Sequence, residues 1–234
     1  MIYYDQLPLS EDILKALAEL NIDYVFQPIF YPDGKQIYAR EALMRPKDKT
    51  VTELIDEYAK MDKLHIIEVA TFFGAMQAFI LRGYTEWISV NSFPSECMSD
   101  DEAKAFADYF GDIRGKLIIE MLEYPELSVS KWTTKNESVR LMDNLISMDD
   151  YGTGINNFGK VDILKPDIVK LDRSLISDID KDKYKQSNCK EIIDLLHMMN
   201  KIVVAEGVET KEEFEYLVSI EADLFQGYYL ARPQ

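Results

Sequence analysis

Six short apolar runs in this chain each close on a polar or charged side chain, and their spacing constrains the fold more than any other feature. The runs are IYAREAL around Glu41, EWISVN ending in Asn91, KLIIE ending in Glu120, LISMDD ending in Asp149 and Asp150, PDIVK ending in Lys170, and KIVVAE ending in Glu206. A polar group at the exit of a buried strand costs stability unless it is partnered, so six of them point to a shared site. Asn91 to Glu120 and Glu120 to Asp149 are each 29 residues apart, and Lys170 to Glu206 is 36, intervals of about one strand plus one helix. A (β/α)8 barrel gathers an active site from the ends of its strands at such a period.

The 234 residues fall slightly short of the ~250 typical of that barrel, and no linker-like stretch interrupts them. One domain over residues 1–234 is expected, with 1–11 as an N-terminal extension. Ser10 before Glu11 and Asp12 marks a helix start, with Ile13, Leu14, Leu17 and Leu20 on one apolar stripe up to Asn21. The period then changes: residues 24–30 and 36–43 are strand-like and joined by YPDGK, a Pro-Asp-Gly hairpin signal. The first strand should therefore run antiparallel to the second, which puts Gln27 opposite Arg40 or Glu41. Further strands are predicted near 86–91, 116–121, 145–149, 167–171, 201–205 and 222–225. Helices are predicted near 51–60, 64–81, 101–110, 188–199 and 210–219. The fold class is α/β, a modified TIM (β/α)8 barrel with an antiparallel first strand.

Composition narrows the function. A net charge of −16, from 26 basic and 42 acidic residues, disfavours long nucleic acid and anionic membrane surfaces as partners. The longest apolar stretch, IIEVATFFGAMQAFIL, has 16 residues and carries Glu68 and Gln77, so a buried helix is expected there instead of membrane insertion, which needs ~20. Two cysteines, and an opening MIYYDQLPLSED with neither a basic nor an apolar leader region, lead to the expectation of a cytoplasmic protein.

With only His65 and His197, a Ser-His-Asp triad or a His-rich metal cluster has almost nothing to be built from. A metal here would need oxygen ligands, which suit Mg2+ or Mn2+. Glu41, Asn91, Glu120 and Asp149 offer three carboxylates and an amide oxygen. Asp150 adds a carboxylate beside Asp149, so that one of the pair could bridge two ions. Two cations ~3.5–4 Å apart can activate a water and stabilise the leaving oxygen of an in-line phosphoryl displacement. Asp178, Asp180 and Asp182 mimic the start of a calcium loop, but Lys183 replaces its glycine and Cys189 its bidentate glutamate, which excludes it.

Eight ordered blocks carry a resemblance to one family: FQPI (26–29), EALMR (41–45), VN (90–91), EMLE (120–123), DDYGTG (149–154), KLD (170–172), AEGVET (205–210) and QGYYLARP (226–233). From about residue 12 onward the chain resembles the EAL domains, bacterial phosphodiesterases that hydrolyse cyclic di-GMP to linear pGpG by in-line attack of a metal-bridged water. The resemblance implies a first ion held by Glu41, Asn91, Glu120 and Asp149. A second would be shared by Asp149 with Asp150 and, directly or through water, Glu206. It gives Lys170 the task of orienting or deprotonating the attacking water, and a Lys among cations could have a lowered pKa. Arg45 would grip a substrate phosphate, Gln27 and Gln226 would line the substrate or water site, and Glu123 would hold the DDYGTG loop in shape. A homodimer is also implied. Departures are Leu122, where a small residue is usual, Tyr151 for Phe, and Ser92-Phe93 after Asn91, where an apolar residue and then Ser are more frequent. The alternative function left open is a catalytically silent cyclic di-GMP receptor or interaction module; a third is hydrolysis of some other phosphodiester.

Overall fold

The computed structural model describes residues 4–111, 115–122, 129–152 and 158–234, without the side chains of 129–131. Within these, a closed barrel runs β1 (Ile22–Phe30), β2 (Ile37–Pro46), β3 (Trp87–Ser92), β4 (Leu117–Met121), β5 (Leu145–Tyr151), β6 (Ile168–Leu171), β7 (Ile202–Glu206) and β8 (Leu224–Gln226). As expected, β1 is antiparallel to β2, and β2 to β8 are parallel neighbours in sequence order. The hairpin register puts Gln27 directly against Glu41. β1 meets β8 antiparallel through Phe30 and Phe225. Above that seam the chain after β8 folds back, and Gln234 exchanges backbone hydrogen bonds with Phe26.

Helices cover the outside: α1 (Glu11–Leu20), α2 (Val51–Lys60), α3 (Leu64–Leu81), α4 (Asp100–Phe110), α5 (Val129–Leu141), α6 (Phe158–Leu164), α7 (Arg173–Ile176), α8 (Lys183–Met198) and α9 (Lys211–Ser219). Local sequence starts them: Ser10 caps α1, while Thr50 with Glu53, Ser99 with Glu102 and Thr210 with Glu213 form reciprocal capping boxes on α2, α4 and α9. α8 begins at Lys183, five residues before the expected 188, because Asp182 accepts from the N–H groups of Tyr184 and Lys185. The segment before α1 is docked, with Tyr4 and Leu7 buried in the core. Among the described residues α3 is the one helix long and apolar enough to cross a membrane, yet most of it is buried in the barrel wall. Gly74 lets it approach β1: a Cβ there would lie 2.9 Å from the Tyr24 ring, whose hydroxyl donates to the Ala70 carbonyl at 2.6 Å.

Alternation along the strands divides the core in two. Ile88, Val90, Ile119, Met121, Ile146, Met148, Val169 and Val203 pack outward beneath the helices. A separate cluster of Ile29, Ala39, Ile118, Ile168, Val204 and Leu224, with Trp87, Leu145 and Ile202 against it, fills the barrel interior. Two residues further along the same strands stand Glu41, Glu120, Lys170, Glu206 and Gln226. The interior is thus an apolar floor under a polar mouth at the strand ends.

Candidate active site

Period-two alternation delivers Glu41, Asn91, Glu120, Asp149, Lys170, Glu206 and Gln226 to the mouth from seven successive strands. The Lys170 ammonium sits at their centre, 2.5 Å from Glu120, 3.1 Å from Asp149 and from Glu206, and 3.5 Å from Glu41. Glu41 also accepts from Gln226 Nε2 at 2.6 Å and from Asn91 Nδ2 at 3.5 Å. Ser89, one inward position below Asn91, donates to Glu120 at 2.7 Å.

Asp149 and Asp150 are adjacent, so a regular strand would send them to opposite faces. The β5–β6 register shifts between Met148 and Tyr151, and Asp150 takes a left-handed φ of 51°. This bulge is a conformation Asp tolerates better than most residues. It brings one carboxylate oxygen each from Asp149, Asp150 and Glu206 within 4.8 Å of one another. The set is oxygen-only and suits a hard divalent cation. Gln226 adds a buried Oε1 that has no hydrogen-bond partner among the described residues.

Electrostatics follow from four carboxylates around one ammonium in a desolvated space. Burial, then the neighbouring charge of Glu41, pushes the Glu120 pKa well above the ordinary carboxylate range despite Lys170. Burial likewise raises Glu206 to about 8, Lys170 opposing and Asp149 adding. Burial also acts upward on Asp149, but Lys170 and hydrogen bonds to Glu206, Lys170 and the Asp150 backbone outweigh it and hold its pKa down. The lowered Lys170 pKa expected from sequence belongs to a site holding cations; with the carboxylates alone the direction is the opposite. Burial favours neutral amine, yet with these protein groups around it Asp149, Glu120, Glu206 and Glu41 raise the pKa well above its ordinary value. Lys170 is a charged donor in this environment.

Two clefts of about 250 Å3 each flank the acid cluster. One lies in the wall between β2 and helices α2 and α3, lined by Tyr24, Met44, Val51, Ile55 and Thr71, and reaches Glu41, Asn91 and Arg45 at one edge. Arg45 is exposed at its rim and donates to the Met44 carbonyl at 2.8 Å. The other is lined by Gln27, Arg173, Glu206, Glu209, Gln226 and Tyr228. Gln27 donates there to the Ala231 carbonyl at 3.2 Å. Glu123 and the loop residues Thr153 and Gly154 lie outside the described residues.

Sequence reasoning missed Ser89, Arg173, Glu209 and Tyr228. Ser89 was recoverable, since Trp87, Ser89 and Asn91 alternate. Arg173 was not: its Nη2 reaches Glu209 at 2.8 Å and its Nη1 bonds the Gly207 carbonyl, links between separate loops that no local pattern announces.

Fold and site together define a modified (β/α)8 barrel with a cluster of acidic oxygen donors at its mouth that could hold a cation. Residues 10–233 match the model of the EAL domain family, and the chain belongs to it. The chain is 35% identical over 238 residues to the probable cyclic di-GMP phosphodiesterase PdeD of Escherichia coli, covering 97% of this chain and 44% of PdeD. Among solved structures it resembles the c-di-GMP-bound form of a standalone versatile EAL protein from Vibrio cholerae O395. That likeness has a TM-score of 0.83 at 25% identity over 92% of this chain and 93% of that one. It also resembles Klebsiella pneumoniae BlrP1 in a calcium and cyclic di-GMP complex, with a TM-score of 0.78 at 25% identity, over 91% of this chain and 56% of that one. The chain spans about half or less of the length of the curated relatives it matches.

Proposed function

We propose that this EAL domain, with residues 1–234 acting as one unit, hydrolyses cyclic di-GMP to linear pGpG at the barrel mouth with Mg2+ or Mn2+. The observation that carries the reading is the β5 bulge, which turns two adjacent Asp residues toward Glu206 beside Glu41, Asn91 and Glu120. A bulge next to a site re-aims side chains; this one brings Asp149 and Asp150 to Glu206, a set that would hold one ion, while Glu41, Asn91, Glu120 and Asp149 would hold another. Divalent cations held there would supply an activated water and offset the charge on the leaving 3′ oxygen.

The chain's own groups have distinct tasks. The Lys170 ammonium donates a hydrogen bond that orients the attacking water, and Gln226 Oε1 accepts one. Arg45, exposed at the rim of its cleft, grips a phosphate with its planar fork. Gln27 lines the opposite cleft, and Glu123 supports the DDYGTG loop. The reading extends to a homodimer, which light scattering checks, and to a cytoplasmic setting compatible with two unpaired cysteines.

Purified protein incubated with cyclic di-GMP and Mn2+ should yield linear dinucleotide, and Glu41→Ala should lose at least about a hundredfold in rate, given that even partners of ligands are worth 10–100-fold. Tight cyclic di-GMP binding without product from the wild type would instead establish a silent receptor.

A further inference from the structure

A second buried ion pair stands behind the barrel wall, where none of the site residues above uses it. Glu68 of α3, fully buried, meets Lys135 of α5 at 2.6 Å. Glu68 Oε1 also accepts from the Ser92 hydroxyl at 2.6 Å, and Oε2 from the Phe93 N–H at 3.0 Å. Lys135 Nζ donates to the carbonyls of Phe93 and Glu96, each at 2.6 Å. Apart from the ion pair itself, every one of these bonds falls on residues 92–96, which leave β3 immediately after Asn91. Ser92 in turn accepts from the Leu122 N–H at 3.1 Å, joining the β3 exit to the β4 exit just past Glu120.

Helix packing alone does not call for this arrangement. Taking two charges out of water costs several kcal/mol per ion, and a hydrophobic pair of similar volume is often neutral or stabilising. The neighbours Val69, Phe72 and Phe73 on α3 show that this helix packs well on apolar contacts. What an apolar pair cannot do is fix the hydroxyl, N–H and two carbonyls of an irregular strand exit.

We propose that Glu68 and Lys135 are positioning residues: by clamping residues 92–96 they hold the Asn91 carboxamide at the edge of the acid cluster and so set its affinity for a divalent cation. This rests on the reading of that cluster as a metal site. Outer partners of metal ligands are typically worth 10–100-fold in metal affinity.

The full chain, the double variant Glu68→Met/Lys135→Met and the single variant Ser92→Ala are compared by thermal melting and by Mn2+ titration followed by electron paramagnetic resonance. The double variant leaves the Ser92 hydroxyl, the Phe93 N–H and the Phe93 and Glu96 carbonyls without these partners and should melt below the wild type, and it should bind Mn2+ about tenfold more weakly, with kcat recovered at high Mn2+ and KM for cyclic di-GMP unchanged. A merely structural pair would not respond to added metal in this way. Mn2+ affinity of the double variant within twofold of wild type would overturn the inference. If the double variant does not fold, Ser92→Ala decides: weaker Mn2+ binding supports the clamp and unchanged binding overturns it. A wild type that binds no Mn2+ removes the metal reading itself, a result separable from any change between variants.

Discussion

The floor and the mouth of the barrel are built from the same strands only two residues apart, and they obey opposite physics. Ala39, Ile118, Ile168, Val204 and Leu224 close the floor without a polar atom in their side chains. Glu41, Glu120, Lys170, Glu206 and Gln226 stand one inward position above. The floor gains from burial at roughly 25 cal/mol per Å2 of apolar surface. The mouth collects four carboxylates around one ammonium in the same low-dielectric interior, an arrangement that pushes two carboxyl pKa values up and is poised for added positive charge. Stability and chemistry are thus stacked along the strand axis, and the apolar layer supports a layer that would not fold for its own sake.

Substitutions in neighbouring layers should separate these roles. Lys170→Met leaves the carboxylates without their counter-charge and should cost the chelator-treated protein about 3–5 kcal/mol, with turnover abolished. Ile168→Ala, two residues away, should cost a similar ~2–5 kcal/mol through a cavity. Chemical denaturation with and without Mn2+ distinguishes them: the ion should restore much of the loss in the first variant and little of it in the second. Equal rescue of both would collapse the distinction between layers.

A smaller effect should appear with pH. Glu206 has its folded pKa raised to about 8 from 4.5, so its contribution to stability is complete below about 4.5 and lost as pH rises through about 8. Chelator-treated protein should accordingly melt a few degrees lower at pH 8.5 than at pH 6, a size of ~2–4 °C for each kcal/mol in a chain of this length. Stabilisation by Mn2+ should grow over the same interval, because the ion takes the carboxylate form. A metal-induced shift that is flat from pH 6 to 8.5 would contradict this.

The smallest change tests the start of α2, outside both layers, whose Val51 and Ile55 line the wall cleft. Thr50→Ala removes the capping box of α2 and should cost ~1 kcal/mol while leaving hydrolysis of cyclic di-GMP unchanged. A loss of activity there would show that α2 communicates with the mouth.

Much of this was legible in the chain itself. Strand exits at Asn91, Glu120, Lys170 and Glu206, the hairpin at Pro32-Asp33-Gly34 and the cap at Ser10 are local signals, since alternation, turn chemistry and capping each act within a few residues. The turn position left Gln27 opposite Arg40 or Glu41, and the register decided for Glu41. The early start of α8 at Lys183 was less visible, because a run of charged residues masks the Asp182 cap.

By itself the sequence determined the barrel, its antiparallel first strand and the family of residues at its mouth, because period and turn signals are written in neighbouring positions. Tertiary structure alone decided the rest. The β5 bulge reconciles Asp149 with Asp150, the acids around Lys170 keep it charged, and the Glu68–Lys135 clamp lies behind Asn91. These depend on the field and the hydrogen bonds of groups brought together from distant parts of the chain, and such contacts have no spacing to read.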